Sequence, residues 1–393
     1  MVFPFRIFLT LFSAVFVTTM GAGLVAPLLP VYAHELGAEA LEIGLIFGSF
    51  SLTRSLFVPY FGKWSDRRGR KPFIVIGLFG YFLVSLAFTA TEGVWSLIAI
   101  RLAQGFASAM VLPVAQAYVG DMTPSGWEGR MMGVFNIALY FGLSAGPVLG
   151  GVLRDWAGID VSFLSMGALA LFGFLLSLIL LPREKSSRTK EAAAAKSGSE
   201  RPVGHGYSTL LKRPAVRALF LFRATFTTAI GITWTFLPLG AGTRLGLSSS
   251  AIGFVVMVNV LVAALCQAPM GYLADRISKG LMVGIGGVMG AGAMLFLSEA
   301  STFWGLVLAN SLFGLAGGIA FPPVMALGVI EGRAARAMGS LMGLLALAHS
   351  LGMLAGPVLG GFFIDWFSFD WIFRVGAGII ALGTLIFWMQ YKR

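Results

Sequence analysis

The stretch Gly62–Lys71 reads GKWSDRRGRK, five cations and one acid set between two long apolar segments. A patch this charged cannot lie in hydrocarbon. It marks a short loop at a membrane face, and by the positive-inside rule that face is cytoplasmic. Each apolar segment before and after it then inherits an orientation, so the chain can be read as a topology.

Composition agrees. Of the 393 residues, 57% are hydrophobic and 11% charged, with a mean hydropathy of +0.87, whereas an ordinary soluble domain carries roughly 25% charged residues. The 28 Lys and Arg against 17 Asp and Glu give a net charge of +11. In a soluble chain that excess would point to nucleic acid, but placement decides otherwise. Twenty-two of the 28 fall in segments assigned to the cytoplasm: Arg6, the five in the opening stretch, Arg130, nine between Arg183 and Arg217, then Arg276, Lys279, Arg333, Arg336, Lys392 and Arg393. The basicity is a topology signal, and no nucleic-acid partner is expected. The single cysteine, Cys266, lies in an apolar run, which rules out an intramolecular disulfide and leaves the redox compartment open. The N-terminal apolar run is too long for a signal-peptide core and continues through Pro27 and Pro30 without a convincing cleavage site, so it reads as a retained first helix.

Apolar runs near 7–31, 42–61, 73–91, 94–118, 131–153, 160–181, 215–240, 250–272, 281–298, 303–329, 338–363 and 371–390 reach the length of about 20 residues needed to span a bilayer. The expected fold is therefore an all-α integral membrane protein of twelve transmembrane helices, both termini cytoplasmic, in a prokaryotic inner or plasma membrane. The polar interruption from Arg183 to Arg213 reads as a linker, part of it able to form a short surface helix. It divides the chain into six-helix bundles at 1–182 and 214–393. A repeat supports the division: AGPVLGGVLRDW at 145–156 and AGPVLGGFFIDW at 355–366 share nine of twelve letters 210 positions apart, and GKWSD at 62–66 is echoed by GYLAD at 271–275, 209 apart. Because six spans separate equivalent positions, the copies share one membrane orientation, the parallel-repeat arrangement of some secondary transporters, whose ligand site lies near the midplane between the halves. Gly142, Gly146 and Gly150, like Gly352, Gly356 and Gly360, recur at four-residue spacing, so one helix face can approach a neighbour closely.

These residues also carry a family resemblance. GKWSDRRGRK resembles the loop between helices two and three of the major facilitator superfamily. LIAIRLAQGFASA at 97–109 resembles its fourth-helix motif, and GLSAGPVLGG at 142–151 resembles the fifth-helix motif of its drug:proton antiporters, including multidrug and tetracycline exporters. Order and spacing agree over essentially the whole chain. The resemblance implies the major facilitator fold and alternating access. It implies a conformational latch from Gly62, Asp66, Arg67, Gly69 and Arg70, in which Asp66 contacts the neighbouring half and Arg70 pairs with an acid below helix four, for which Asp121 in GDMTP is the candidate. It also implies a role in proton coupling for Arg101, with Gln104 and Gly105 matching the same motif. The alternatives are a topology-setting basic loop with surface ion pairs of little worth, and a structural Arg101 bonded to backbone carbonyls. Gly62 and Gly69 would permit close packing and a tight turn in either reading.

The fifth- and eleventh-helix motifs (Gly142, Gly146, Pro147, Gly150, Gly151, and Gly356 with Pro357) read either as a hinge or leak-limiting seal or as helix-shape packing, since a mid-span proline removes a backbone donor. Arg54, Arg223 and His349 are the remaining ionisable groups inside spans and are candidates to line a cavity. Arg223 is near enough to its helix start to snorkel, and His349 has a pKa suited to switching, although a lone intramembrane histidine is more often a hydrogen-bonding packing residue. Met20, Asn136, Tyr140, Trp234, Phe236 and Asn259 are candidates for an aromatic and polar cavity wall.

Acids are informative by their absence. All 17 lie in loops or near span ends. In the first span, TTMGAGLVAPLLP at 18–30 resembles a tetracycline-efflux first helix, but Thr18 stands where many proton-coupled relatives carry an aspartate. A buried cationic drug would need a counter-charge that is not evident, so neutral, zwitterionic or anionic amphiphiles are the expected substrates. Coupling would then fall to Asp66, Asp121, Glu42 or Asp155 at the span ends, with Arg101. No GxxxxGK[ST], HExxH or Cys/His ligand cluster occurs, which argues against ATP-driven transport, a metal site, a cofactor or an enzyme. The expected partners are a small-molecule substrate, protons and the lipid bilayer, with the chain a monomer. An importer or facilitator of a small anion held by Arg54, Arg101 or Arg223, and a transporter-derived sensor or lipid-handling protein, are the alternatives.

Overall fold

The computed structural model describes residues 5–123, 128–182, 207–335 and 337–391. In chain order its helices are α1 (Phe5–Val25), α2 (Leu29–Glu35), α3 (Ala40–Arg68), α4 (Lys71–Thr89), α5 (Val94–Met122), α6 (Glu128–Ala157), α7 (Ile159–Leu180), α8 (Tyr207–Leu211), α9 (Pro214–Thr243), α10 (Ser249–Arg276), α11 (Lys279–Glu299), α12 (Phe303–Ala334), α13 (Met338–Trp366) and α14 (Asp370–Gln390). Twelve membrane-spanning helices result, α1 and α2 together making the first. The break between those two follows from Pro27 and Pro30. Pro30 sits in the first turn of α2, where its missing N–H leaves no helical bond unmade.

The basic stretch is not the loop that its charge predicts. α3 continues through Asp66 to Arg68 and α4 starts at Lys71, so Gly69 and Arg70 alone join them, with Gly69 at φ 89°. Asp66 therefore lies in the last turn of its helix rather than beyond it. The reason is electrostatic: Arg67 and Arg68 occupy that last turn, where cations complement the helix macrodipole. The helix thus runs on past the apolar segment.

Two compact units divide the chain, residues 1–37 with 49–200 and 248–253 in the first, and 38–48 with 201–247 and 254–393 in the second. The sequence halves and the compact units thus differ by two short segments, the start of α3 and the start of α10. Most of the expected linker, 183–206, lies outside the described residues, and its end supplies α8.

Within each unit a row of glycines sets the tightest crossing. In the first, a Cβ on Gly142 would meet Phe16 O at 2.6 Å, one on Gly146 would meet Met20 O at 2.5 Å, and one on Gly150 would meet Leu24 O at 2.1 Å, so α6 lies backbone to backbone on α1. In the second, a Cβ on Gly352 would run into Ala224 O and one on Gly356 into Thr228 O, so α13 repeats the arrangement on α9. Another duplicated crossing joins α3 to α5 and α10 to α12: a Cβ on Gly105 would overlap Phe50 O, and one on Gly314 would overlap Asn259 O. Van der Waals contact and the absence of side-chain bulk hold such crossings together where no hydrophobic effect operates between helices. Gly62 differs: open space surrounds its missing Cβ. The close packing expected of it is absent, because Gly62 lies on an open face of α3 while its neighbour Phe61 packs on Phe73 of α4 and Phe106 of α5.

Two substitutions separate these roles. Gly150→Leu should destabilise the protein by about 1–3 kcal/mol or prevent folding, as overpacking against an immovable carbonyl does, while Gly62→Ala should be silent. Thermal unfolding of the purified variants in detergent is the check.

Candidate functional site

Three groups of polar side chains stand out. The first is at the end of the first unit where α3, α4 and α5 meet the basic stretch. Arg70, whose side chain is 9% exposed, lies 2.5 Å from Asp66, 3.2 Å from Asp121 and 2.7 Å from the Ser65 hydroxyl oxygen. Ser65 in turn donates to Gly62 O at 2.8 Å. An isolated surface pair contributes about 0–1 kcal/mol. Here the guanidinium itself is largely removed from water and is shared among three acceptors, while Asp66 and Asp121 keep 58% and 38% of their side-chain exposure, so the buried arginine depends on the cluster more than the acids do. Ser65 was not visible as a participant from sequence. Arg67 is exposed on the same helix turn.

The second group lies within the spans of the first unit. Arg101 is seven residues into α5, about 10 Å from its start, and is 8% exposed. A cation at such depth costs about 2.5–3.5 kcal/mol on insertion scales. Its guanidinium donates to Gln104 Oε1 at 2.6 Å and lies 4.5 Å from the centre of the Phe50 ring. A charged hydrogen bond contributes about 1.5–3 kcal/mol and a cation–π contact about 0.5–2 kcal/mol, so these neutral partners offset the cost. Gln104 also reaches Met166 Sδ at 3.8 Å. Tyr81 of α4 is 3% exposed and interacts electrostatically with both Arg101 and Arg54 of α3.

In the second unit, the Arg223 guanidinium lies 4.1 Å from the Phe321 ring centre and 3.4 Å from His349 Nδ1. A guanidinium has only donors, so Nδ1 accepts and the neutral imidazole carries its proton on Nε2. Arg223 does not reach back along its helix as a snorkelling residue would, because Phe321 and His349 supply partners in place. Asn259 donates to Asn310 O at 2.8 Å and to Asn310 Oδ1 at 3.2 Å, and Asn310 donates to Val255 O at 2.9 Å. Asn259 is thus engaged in joining α10 to α12. Phe236 needs correction as a cavity-wall residue: it is fully buried and its ring packs on Gly360, which has no side chain to exclude it. Met20, Asn136, Tyr140 and Trp234 are half-buried.

The acids keep to the helix ends throughout the described spans. Thr18, 8% exposed, donates to Ala14 O of its own helix at 2.6 Å. Glu42 accepts from the Glu39 N–H at 2.9 Å and caps α3. Asp155 accepts the N–H groups of Ser249 and Ser250 at 3.0 and 2.8 Å, all three residues belonging to the first unit. No group of three or more His, Cys, Asp or Glu among the described residues could hold a metal ion.

A family model described as Major Facilitator Superfamily matches residues 11–232 and again 219–393, one match for each copy of the duplication. The chain belongs to that superfamily. Among relatives of this Major Facilitator Superfamily chain, an uncharacterized MFS-type transporter of Methanocaldococcus jannaschii is 31% identical over 93% of this chain and 95% of its own length. Multidrug resistance protein 2 of Bacillus subtilis is 26% identical over 98% of this chain and 96% of its own length. The crystal structure of the nucleoside transporter NupG, at 14% identity, matches 98% of this chain and all of its own with a TM-score of 0.78, which bears on the fold alone. The protein is a membrane transporter and not an enzyme.

Because Gln104 is the acceptor that holds Arg101, Gln104→Leu should destabilise this transporter by about 1–3 kcal/mol, the cost of a stranded polar partner, whereas Gln104→Glu should retain stability. Melting temperatures of both variants in one detergent are the measurement.

Proposed function

We propose that the chain is a proton-coupled exporter of amphipathic small molecules, with neutral, zwitterionic and anionic compounds favoured over permanently cationic ones, working by alternating access in a prokaryotic cell membrane. The observation that supports export is the near full-length similarity to a multidrug resistance protein. Substrate charge rests on the placement of acids: in the described spans every carboxylate lies in a first or last turn, so a buried ammonium would find no counter-charge.

In this reading the Arg70 cluster is the latch. Asp66 and Asp121 hold the arginine in one state of the cycle, and protonation or displacement of an acid frees it for the other. Both termini lie on the cytoplasmic side with the basic stretch, and the chain acts as a monomer. A second reading, uptake or facilitated passage of a small anion, is favoured by the three arginines inside spans, Arg54, Arg101 and Arg223.

Proteoliposomes carrying a lumenal pH dye separate the two. Substrate added against a proton gradient should change the lumenal pH in wild type, and Arg101→Ala should abolish the change. Substrate flux without proton movement rejects antiport; binding without flux rejects transport. Asp66→Asn should slow exchange by about tenfold or more by shifting the balance between states, while inserting in the membrane at wild-type levels. In a whole-cell efflux panel of cationic, neutral and anionic amphiphiles, selective export of permanent cations would refute the charge assignment.

A further inference from the structure

Among the described residues, Arg54 is a mid-span cation without a hydrogen-bond or ion-pair partner. It stands at the centre of α3, fourteen residues from Ala40 and fourteen from Arg68, about 21 Å from either end of the helix at 1.5 Å per residue. The side chain is half-buried. Phe50, one helical turn before Arg54 on α3, carries the Arg101 guanidinium 4.5 Å from its ring centre, and Tyr81 interacts electrostatically with both arginines. The crossing of α3 on α5 sets this level: Thr53 donates to Leu102 O at 2.9 Å, and Gly105 lets the Phe50 carbonyl come within 2.3 Å of where its Cβ would be. Arg54 and Arg101 each adjoin one of the hydrogen-bonded residues, Thr53 and Leu102.

The second unit shows what the crossing needs for architecture alone. Gly105 and Gly314 make the same contact, with Phe50 and Asn259 respectively, and both pairs are related by 209 positions. At that offset Arg54 corresponds to Ala263, Tyr81 to Gly290 and Arg101 to Asn310. The second unit thus builds an equivalent crossing from a methyl group, a glycine and a neutral amide. Two cations and a phenol in the first unit are surplus to that requirement. Among the described spans, carboxylates lie only at the helix ends. Placing a net positive charge in a low-dielectric region is unfavourable unless an anion arrives to share it.

We propose that Arg54, with Arg101 and the Tyr81 hydroxyl beside it, forms a site in the first unit for the carboxylate of an amphipathic monoanion. The guanidinium of Arg54 takes the carboxylate oxygens in a forked pair of hydrogen bonds. Arg101, held by Gln104 and Phe50, supplies a second positive charge without moving, and Tyr81 contributes a hydroxyl donor. The inference rests on the transport function proposed above and narrows its substrate class to anions. The same head-group chemistry has two sources, a transported amphiphile and an anionic lipid.

The test uses the whole protein in nanodiscs of zwitterionic lipid, with pyrenebutyrate as the probe and its uncharged amide as the control. Wild type should bind the carboxylate about tenfold or more tightly than the amide, the scale of one charged hydrogen-bonded pair. Arg54→Gln should bring that ratio close to unity with amide affinity unchanged, and Arg54→Lys should restore part of it. Where Arg54→Gln does not fold, phenylglyoxal labelling of wild type read by mass spectrometry gives the same answer: pyrenebutyrate should protect Arg54 and the amide should not. Equal affinity for acid and amide in wild type, or a preference that survives Arg54→Gln, overturns the proposal. Protection of Arg54 by phosphatidylglycerol in the discs, with no competition by pyrenebutyrate, overturns it in favour of a lipid. Carboxylate-selective binding with no flux in proteoliposomes keeps the site and instead refutes the exporter reading.

Discussion

Charge is expensive in hydrocarbon, and that expense orders the molecule. In the described spans the acids lie in first or last helical turns. Two of the three arginines inside spans have neutral partners: Arg101 has Gln104 and the Phe50 ring, and Arg223 has His349 and the Phe321 ring. Aromatic faces and amide oxygens stabilise a cation without placing a second charge in the same region. An aspartate in their place would pair more strongly, but it would also neutralise the electrostatic attraction that a negatively charged ligand would otherwise experience. The choice of neutral partners is therefore a choice of which ligand charge the interior tolerates.

Duplication makes this argument sharper than a single copy would allow. Where both units need the same contact, they keep the same residue, as with the glycines of α6 and α13 against α1 and α9, and with Gly105 and Gly314. Where they diverge, architecture is not the reason. The cation run of the first unit gives way to GYLADRISKG at 271–280, and the mid-span arginines give way to small or neutral residues. Differences of this kind locate function more directly than the motifs shared by both halves.

The twelve spans and the duplication were legible in the sequence because apolar length and repeated letters report directly on burial in lipid. So was the contact of Arg70 with Asp121, through the resemblance rather than through any local pattern. Helix ends were less legible: hydropathy falls where the charges begin, yet α3 runs on to Arg68, because arginine is a good helix former and favours the last turn. Side-chain partners were the least visible. Nothing in the letters around Tyr81, Ser65 or Phe321 distinguishes them from lipid-facing or packing residues of the same type. Their position depends on which helices cross at that level, and a hydrophobic run of period near 3.6 does not specify its neighbour.

The acid-base contacts at the ends of the two units also differ in where the cation comes from. In the first, Arg70 is supplied by the two-residue connection between α3 and α4 and is shared by Asp66 and Asp121. In the second, Glu331 near the end of α12 is 6% exposed and pairs at 2.9 Å with Arg213, the residue that immediately precedes α9. Arg213 also donates to Glu331 O at 3.4 Å. A carboxylate so far removed from water depends on its cation far more than an exposed one does. The first unit thus closes its ionic contact with α3, α5 and the short connection that follows α3. The second closes its contact with the last residue of the segment that joins the two halves of the sequence, so the covalent connection and the ionic contact are fixed at the same point.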